Sequence, residues 1–198
     1  MKTRTGKDGA LVVVDMLNDF VRPGAPLEVP ETRRILPALR RRVGRARRSG
    51  EFVVFVCDAH RKNDPEFARM GWPPHAVAGT PGAAVVSALS PEPGDAVVEK
   101  RSYSGFHRTG LDTVLRRHAV RRLELAGCVT SICILYTAAD AAMRGYDVTV
   151  DERHVAGLSP DSHAFALDQM EGVLGVRVHR RPRKAPRRGA ARSRGSRR

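Results

Sequence analysis

Residues 11–14 are an unbroken run of Leu and Val with no polar residue between them, and that pattern leaves few folds open. A strand with one wet face alternates apolar and polar side chains. A strand apolar at every position is covered on both faces, as the central strands of parallel sheets are. Further short strand signals fall at residues 52–56, 96–98, 123–126, 147–150 and 176–178. Helical patterns separate them. Ile35, Leu39, Val43 and Ala46 recur at helical spacing, with Pro37 restricting the start and Gly50 as the stop. Residues 83–89 read as a short helix, and Thr109 with Asp112 resembles a capping box ahead of a helix over 111–118. A helix over 133–144 stops at Gly145, and Ser159 with Pro160 opens a last helix carrying Ala164, Leu167 and Met170. Strands alternating with helices predict an α/β fold, a parallel sheet covered on both faces.

The 198 residues suit one domain with a substantial core. The formal charge of +14 suggests a nucleic-acid binder until it is located. Ten of the 35 basic residues fall in residues 180–198, which hold no acid, so the rest of the chain carries 25 bases against 21 acids. That segment has almost no apolar side chains to offset the entropy of ordering, and it reads as a disordered basic tail after a domain of residues 1–179. Such a tail could hold RNA or DNA by charge alone, but it has no aromatic interleaving and no recognisable module. Three cysteines, with no long apolar stretch at the start, predict a reduced, cytoplasmic protein. No apolar run approaches the ~18 residues that a membrane span needs.

Three strand ends carry chemistry. Asp15 closes the first run, Lys100 the third, and Cys133 follows the fourth across a glycine turn, Gly127-Cys128-Val129-Thr130-Ser131-Ile132. A parallel sheet would bring all three to one edge. A cysteine nucleophile needs a base, a cation that favours the thiolate, and N–H donors for an oxyanion. Asp15, Lys100 and the backbone at Val129 and Cys133 are the candidates, and a helix start at Cys133 would lower its thiol pKa. Cys57 and Cys128 read as buried structural thiols. A second cluster, Asp58, His60 and His75, offers one carboxylate and two imidazoles, a donor set suited to Zn, Mn or Fe, with Asp64 and Glu66 as nearby carboxylates. His107, His118, His154, His163 and His179 lack such company and read as surface or capping residues.

The stretches LVVVDMLNDF (11–20), CDAH (57–60), WPPHAVAGTPG (72–82), VEKRSYSGF (98–106) and GCVTSICILYTAADAAMRGYDVTV (127–150) resemble the isochorismatase-like cysteine hydrolases, and among them the nicotinamidases, over about residues 8–178. The resemblance implies a three-layer αβα fold on a six-stranded parallel sheet, a catalytic Asp15, Lys100 and Cys133, and a cis peptide between Cys128 and Val129. It further implies an oxyanion hole from the N–H groups of Val129 and Cys133. One divalent metal ion (Zn, Mn or Fe) would be held by Asp58, His60 and His75, with Glu66 as a further candidate ligand. Phe20, Trp72 and Tyr103 would line the substrate ring. The implied reaction is hydrolysis of nicotinamide to nicotinate and ammonia through a thioester, as in NAD salvage, by a homo-oligomer. Two alternatives remain: hydrolysis of another small amide or ureide, and a nucleic-acid role through the tail.

Overall fold

The computed structural model describes residues 8–181. Six strands form one sheet: β1 (Gly9–Val14), β2 (Phe52–Asp58), β3 (Ala96–Lys100), β4 (Arg122–Cys128), β5 (Asp147–Ala156) and β6 (Arg177–His179). Every neighbouring pair is parallel, in the order β3-β2-β1-β4-β5-β6. The helices are α1 (Asn18–Val21), α2 (Glu31–Arg48), α3 (Pro65–Met70), α4 (Leu111–Arg117), α5 (Leu135–Met143) and α6 (Pro160–Gly172).

Alternate residues of β1 explain the three layers. Ala10, Val12 and Val14 pack into a core with Leu111, Leu115, Ala138 and Leu167 from α4, α5 and α6. Leu11 and Val13 face the other way, onto Ile35, Leu39, Val43 and Ala46 of α2. Continuous hydrophobicity was therefore the mark of a strand sandwiched between two helical layers. The chain winds outward from β1 to β3 and then returns to lay β4 on the other side of β1. That reversal is a topological switch point, where loops leaving adjacent strands diverge and open a crevice at the carboxyl edge.

Several local expectations need correcting. The segment 83–89 is not a helix: two 3₁₀ turns, Pro81–Ala83 and Ser87–Leu89, flank an extended stretch in which Leu17 bridges Val85. Helix α2 begins at Glu31 and runs through Pro37, because its buried stripe outweighs the ~3 kcal/mol that an interior proline costs. Thr109 Oγ1 accepts from Leu111 N–H at 3.2 Å, but Asp112 turns to Arg116 and Tyr146 rather than completing a capping box. Ser159 does cap α6, with Pro160 in its first turn, although Ala166 packs inward and Ala164 is exposed. Most of the expected tail lies outside the described residues. Its first residue, Arg180, pairs with Asp168 (2.7 Å) and Glu171 (3.0 Å) of α6. Among the described residues no helix is long and apolar enough to cross a membrane.

Candidate active site

Asp15 stands at the switch point, one residue past β1. Its φ of 52° is a left-handed conformation that non-glycine residues rarely adopt and that recurs at functional sites. Its N–H donates to Val56 O at 2.9 Å, which ties the strained residue to β2. Opposite it, Gly127 has a φ of +113°, and a Cβ there would sit 2.0 Å from Val14 O. Only glycine lets β4 come this close to β1 where the two strands deliver Asp15 and the loop to Cys133.

Lys100 reaches the same point from β3, its side chain fully buried. Its Nζ lies 2.7 Å from Asp15 Oδ2, 2.5 Å from Asp58 Oδ1 and 3.5 Å from Cys133 Sγ. Asp15 Oδ1 accepts from Asp58 N–H at 2.8 Å. Asp15 Oδ2 is buried and has no hydrogen-bond donor with good geometry despite its proximity to Lys100, so it is the acceptor open to the thiol proton. Asp15, Asp58 and Cys133 each place a polar atom within 4.8 Å of the others.

One ammonium thus faces two carboxylates. Burial, then the Asp58 charge, outweigh Lys100 and raise Asp15 to about 6. Burial also opposes the charge on Lys100, but Asp15 and Asp58 prevail and keep it an ammonium. The expectation of a lowered thiol pKa does not hold. Burial pushes Cys133 well above the ordinary thiol range; Lys100 works against this, and the two carboxylates add to it. Near neutral pH Cys133 is therefore a thiol and Asp15 beside it a carboxylate.

The expected helix start at Cys133 is instead a π-helical turn, Thr130–Ile134, leading into α5. The Cys128–Val129 peptide is cis. The N–H groups of Ile132 and Ile134 both donate to Val129 O, at 3.0 and 3.1 Å. Among the described residues no group accepts from Val129 N–H, which leaves it available to an oxyanion beside Cys133.

Asp58, His60 and His75 are all buried and converge, with one ligating atom from each within 4.8 Å of the others. Their partners fix which atoms are free. His60 Nδ1 is 3.2 Å from Asp64 Oδ2, and His75 Nδ1 is 2.9 Å from the carbonyl of Pro73, so both rings turn Nε2 inward with its lone pair. A second group fixing the outer imidazole nitrogen is what metal-ligating histidines ordinarily have. These residues fit a divalent cation. Asp64 therefore supports His60 from behind while capping α3 through Glu66 N–H. Glu66 is buried and groups with His60 and Asp64, not with the Asp58, His60, His75 set.

Phe20, Trp72 and Tyr103 all line one cleft together with Asp15, the metal-type cluster, Val129 and Cys133. Several participants were not anticipated. Phe67 packs 5.2 Å from the His60 ring and 5.1 Å from that of His75. Asp19 Oδ2 accepts from Ala76 N–H at 2.8 Å, holding the residue after His75 at a φ of 43°. Asp19, a second acid four residues after Asp15, was the available signal. Two histidines read as surface residues are not free: His154 is buried with Nδ1 3.0 Å from Glu124, and His163 Nδ1 is 2.9 Å from Thr130 Oγ1.

The family model for the isochorismatase domain matches residues 9–179. The chain belongs to the isochorismatase family. It is 34% identical to the isochorismatase family protein PncA of Bacillus subtilis (strain 168) over 85% of this chain and 97% of that one. Among solved structures, N-carbamoylsarcosine amidase from Thermoplasma acidophilum is similar with a TM-score of 0.79 at 38% identity, covering 87% of this chain and 96% of the other. The pyrazinamidase of Pyrococcus horikoshii in complex with zinc has a TM-score of 0.81 at 33% identity, covering 86% and 98%. The two similar structures bear the names of different amide substrates.

Proposed function

We propose that this chain is a cysteine amidohydrolase that converts nicotinamide to nicotinate and ammonia, a step of NAD salvage. The observation that carries the reading is the charge of the cleft. Its ionisable lining residues are Asp15, Glu28, Asp58, His60, Glu66, His75, Tyr103, Cys128 and Cys133, with no Lys or Arg among them. A carbamoyl amino acid or a maleamate-like amide brings a carboxylate, which would meet these acids, while the Lys100 ammonium 3.5 Å from Cys133 Sγ is already held by Asp15 and Asp58. A neutral, flat amide fits between Phe20, Trp72 and Tyr103. Similarity to a pyrazinamidase that binds zinc supports the same substrate class.

The residues then divide the work. Cys133 Sγ attacks the carboxamide carbon while Asp15 takes the thiol proton, and Lys100 holds the charge of Asp15 and Asp58 in place. The oxyanion lies against the N–H groups of Val129 and Cys133. Asp15 returns its proton to the amide nitrogen, the C–N bond breaks, ammonia leaves, and a thioester remains. Water then attacks the thioester carbon as Asp15 accepts a proton. The C–S bond breaks, the thiol is restored and nicotinate departs. A cation on Asp58, His60 and His75 would supply a Lewis-acidic coordination point for a ring nitrogen. The three free, buried cysteines suit a reducing, cytoplasmic setting.

Similarity to N-carbamoylsarcosine amidase keeps a ureide-acid hydrolase as the second reading. Ammonia release from nicotinamide, pyrazinamide, N-carbamoylsarcosine and maleamate, with and without a chelator, separates the two. Preference for either acid over both neutral amides would overturn the nicotinamidase reading.

A further inference from the structure

Packed on the turn that carries the nucleophile is a histidine that does not line the cleft and that the proposed chemistry does not use. Thr130 directly follows Val129 and is fully buried, so its hydroxyl needs a protein partner. That partner is His163 Nδ1, 2.9 Å away. The imidazole is held in turn. Its Nε2 lies 3.7 Å from Glu152 Oε1, and the residue sits in the first turn of α6, where its backbone N–H donates to Ser159 O at 3.0 Å. The close approach of α6 to this point requires Gly157, since a Cβ there would come within 2.7 Å of His163 Cβ. The cap at Ser159, the proline after it and a glycine two residues before it thus aim one side chain of the last helix at the turn between β4 and α5.

We propose that His163 is a positioning residue for the oxyanion hole: through the Thr130 hydroxyl it holds the turn that presents Val129 N–H and Cys133 N–H. His163 touches no reacting atom. Thr130 is fully buried and does not line the cleft either. Losing the contact leaves a buried hydroxyl unsatisfied one residue from the oxyanion donor, and small displacements of such donors are costly to rate. The inference rests on the amide-hydrolase reading of this site but not on nicotinamide as the substrate.

The test compares His163→Ala, His163→Asn, Thr130→Val and the double variant His163→Ala/Thr130→Val. The substrate is whichever amide of the panel the wild-type protein hydrolyses. His163→Ala and Thr130→Val should each lower kcat by about 10- to 100-fold with little change in KM. His163→Asn, which keeps a polar atom near the position of Nδ1, should recover most of the loss. The double variant should be no worse than either single one, since both break the same contact. Alkylation of Cys133 by iodoacetamide has no oxyanion and should proceed at the wild-type rate in all four. Independent, multiplying losses in the double variant would overturn the proposal, as would slowed alkylation or a His163→Ala variant with wild-type kcat. If the wild-type protein prefers an acid substrate, the nicotinamidase reading fails while these comparisons still decide the role of His163.

Discussion

Asp58 Oδ1 accepts a hydrogen bond from Lys100 Nζ at 2.5 Å, so the carboxylate of the metal-type cluster is also a partner of the ammonium beside the nucleophile. The Asp58, His60, His75 cluster and the Asp15, Lys100, Cys133 cluster therefore meet at one residue, and their properties are coupled through its charge. Asp58→Asn should lower bound metal and, by removing a negative charge that raises Asp15, move Asp15 below its present value of about 6. His75→Ala should lower bound metal without that effect. Elemental analysis together with the pH profile of Cys133 alkylation in chelator-treated protein reads both. Equal profiles for the two variants would break the link.

In chelator-treated wild-type protein, alkylation of Cys133 should speed up as pH rises through about 6. Below that value Asp15 is protonated and cannot accept the thiol proton; above it the base is ionised and the reaction proceeds. A rise only at or above the ordinary thiol range of ~8.5 would mean that the sulfur ionises without help from Asp15.

Lys100→Met leaves Asp15 and Asp58 facing each other without their cation. The variant should lose roughly 3–5 kcal/mol of stability, read by urea unfolding, because an uncompensated charge remains buried. Asp15 should titrate at higher pH than in the wild type, since Lys100 holds it down. A loss below about 1 kcal/mol would show the buried ion pairs to be weak.

Cys133→Ala should cut turnover on the order of 10³-fold or more while leaving the fold intact. Cys57→Ala should keep wild-type kcat, since burial first, with Asp15 next, pushes Cys57 up to about 12 and leaves it unreactive. Loss of activity in both variants would make the effect structural.

The sheet was legible because residues 11–14 declare two buried faces and the glycine turns punctuate the rest. The strand ends then put Asp15, Lys100 and Cys133 on one edge, and the motif around each identified the family. Asp58, His60 and His75 were legible as a donor set, but nothing local showed that Asp58 also binds Lys100, since that contact depends on the register of β2 against β3. The thiol's direction of shift was misread for the same reason: burial and a second carboxylate are tertiary facts, whereas a helix start is a local one. His163 was dismissed because its partner Thr130 is 33 residues away in sequence. The segment 83–89 misled because two 3₁₀ turns carry helix-like composition around an extended bridge.

The central claim is that this cleft hydrolyses a neutral aromatic amide held by its ring nitrogen. The kcat/KM of nicotinamide against that of benzamide, measured on the metal-loaded and the chelated protein, tests it most directly. Benzamide has the same amide and ring shape but no nitrogen to coordinate. The account predicts that loaded protein prefers nicotinamide by about 100-fold or more and that chelation removes most of that preference. Comparable values for the two amides on loaded protein would contradict it.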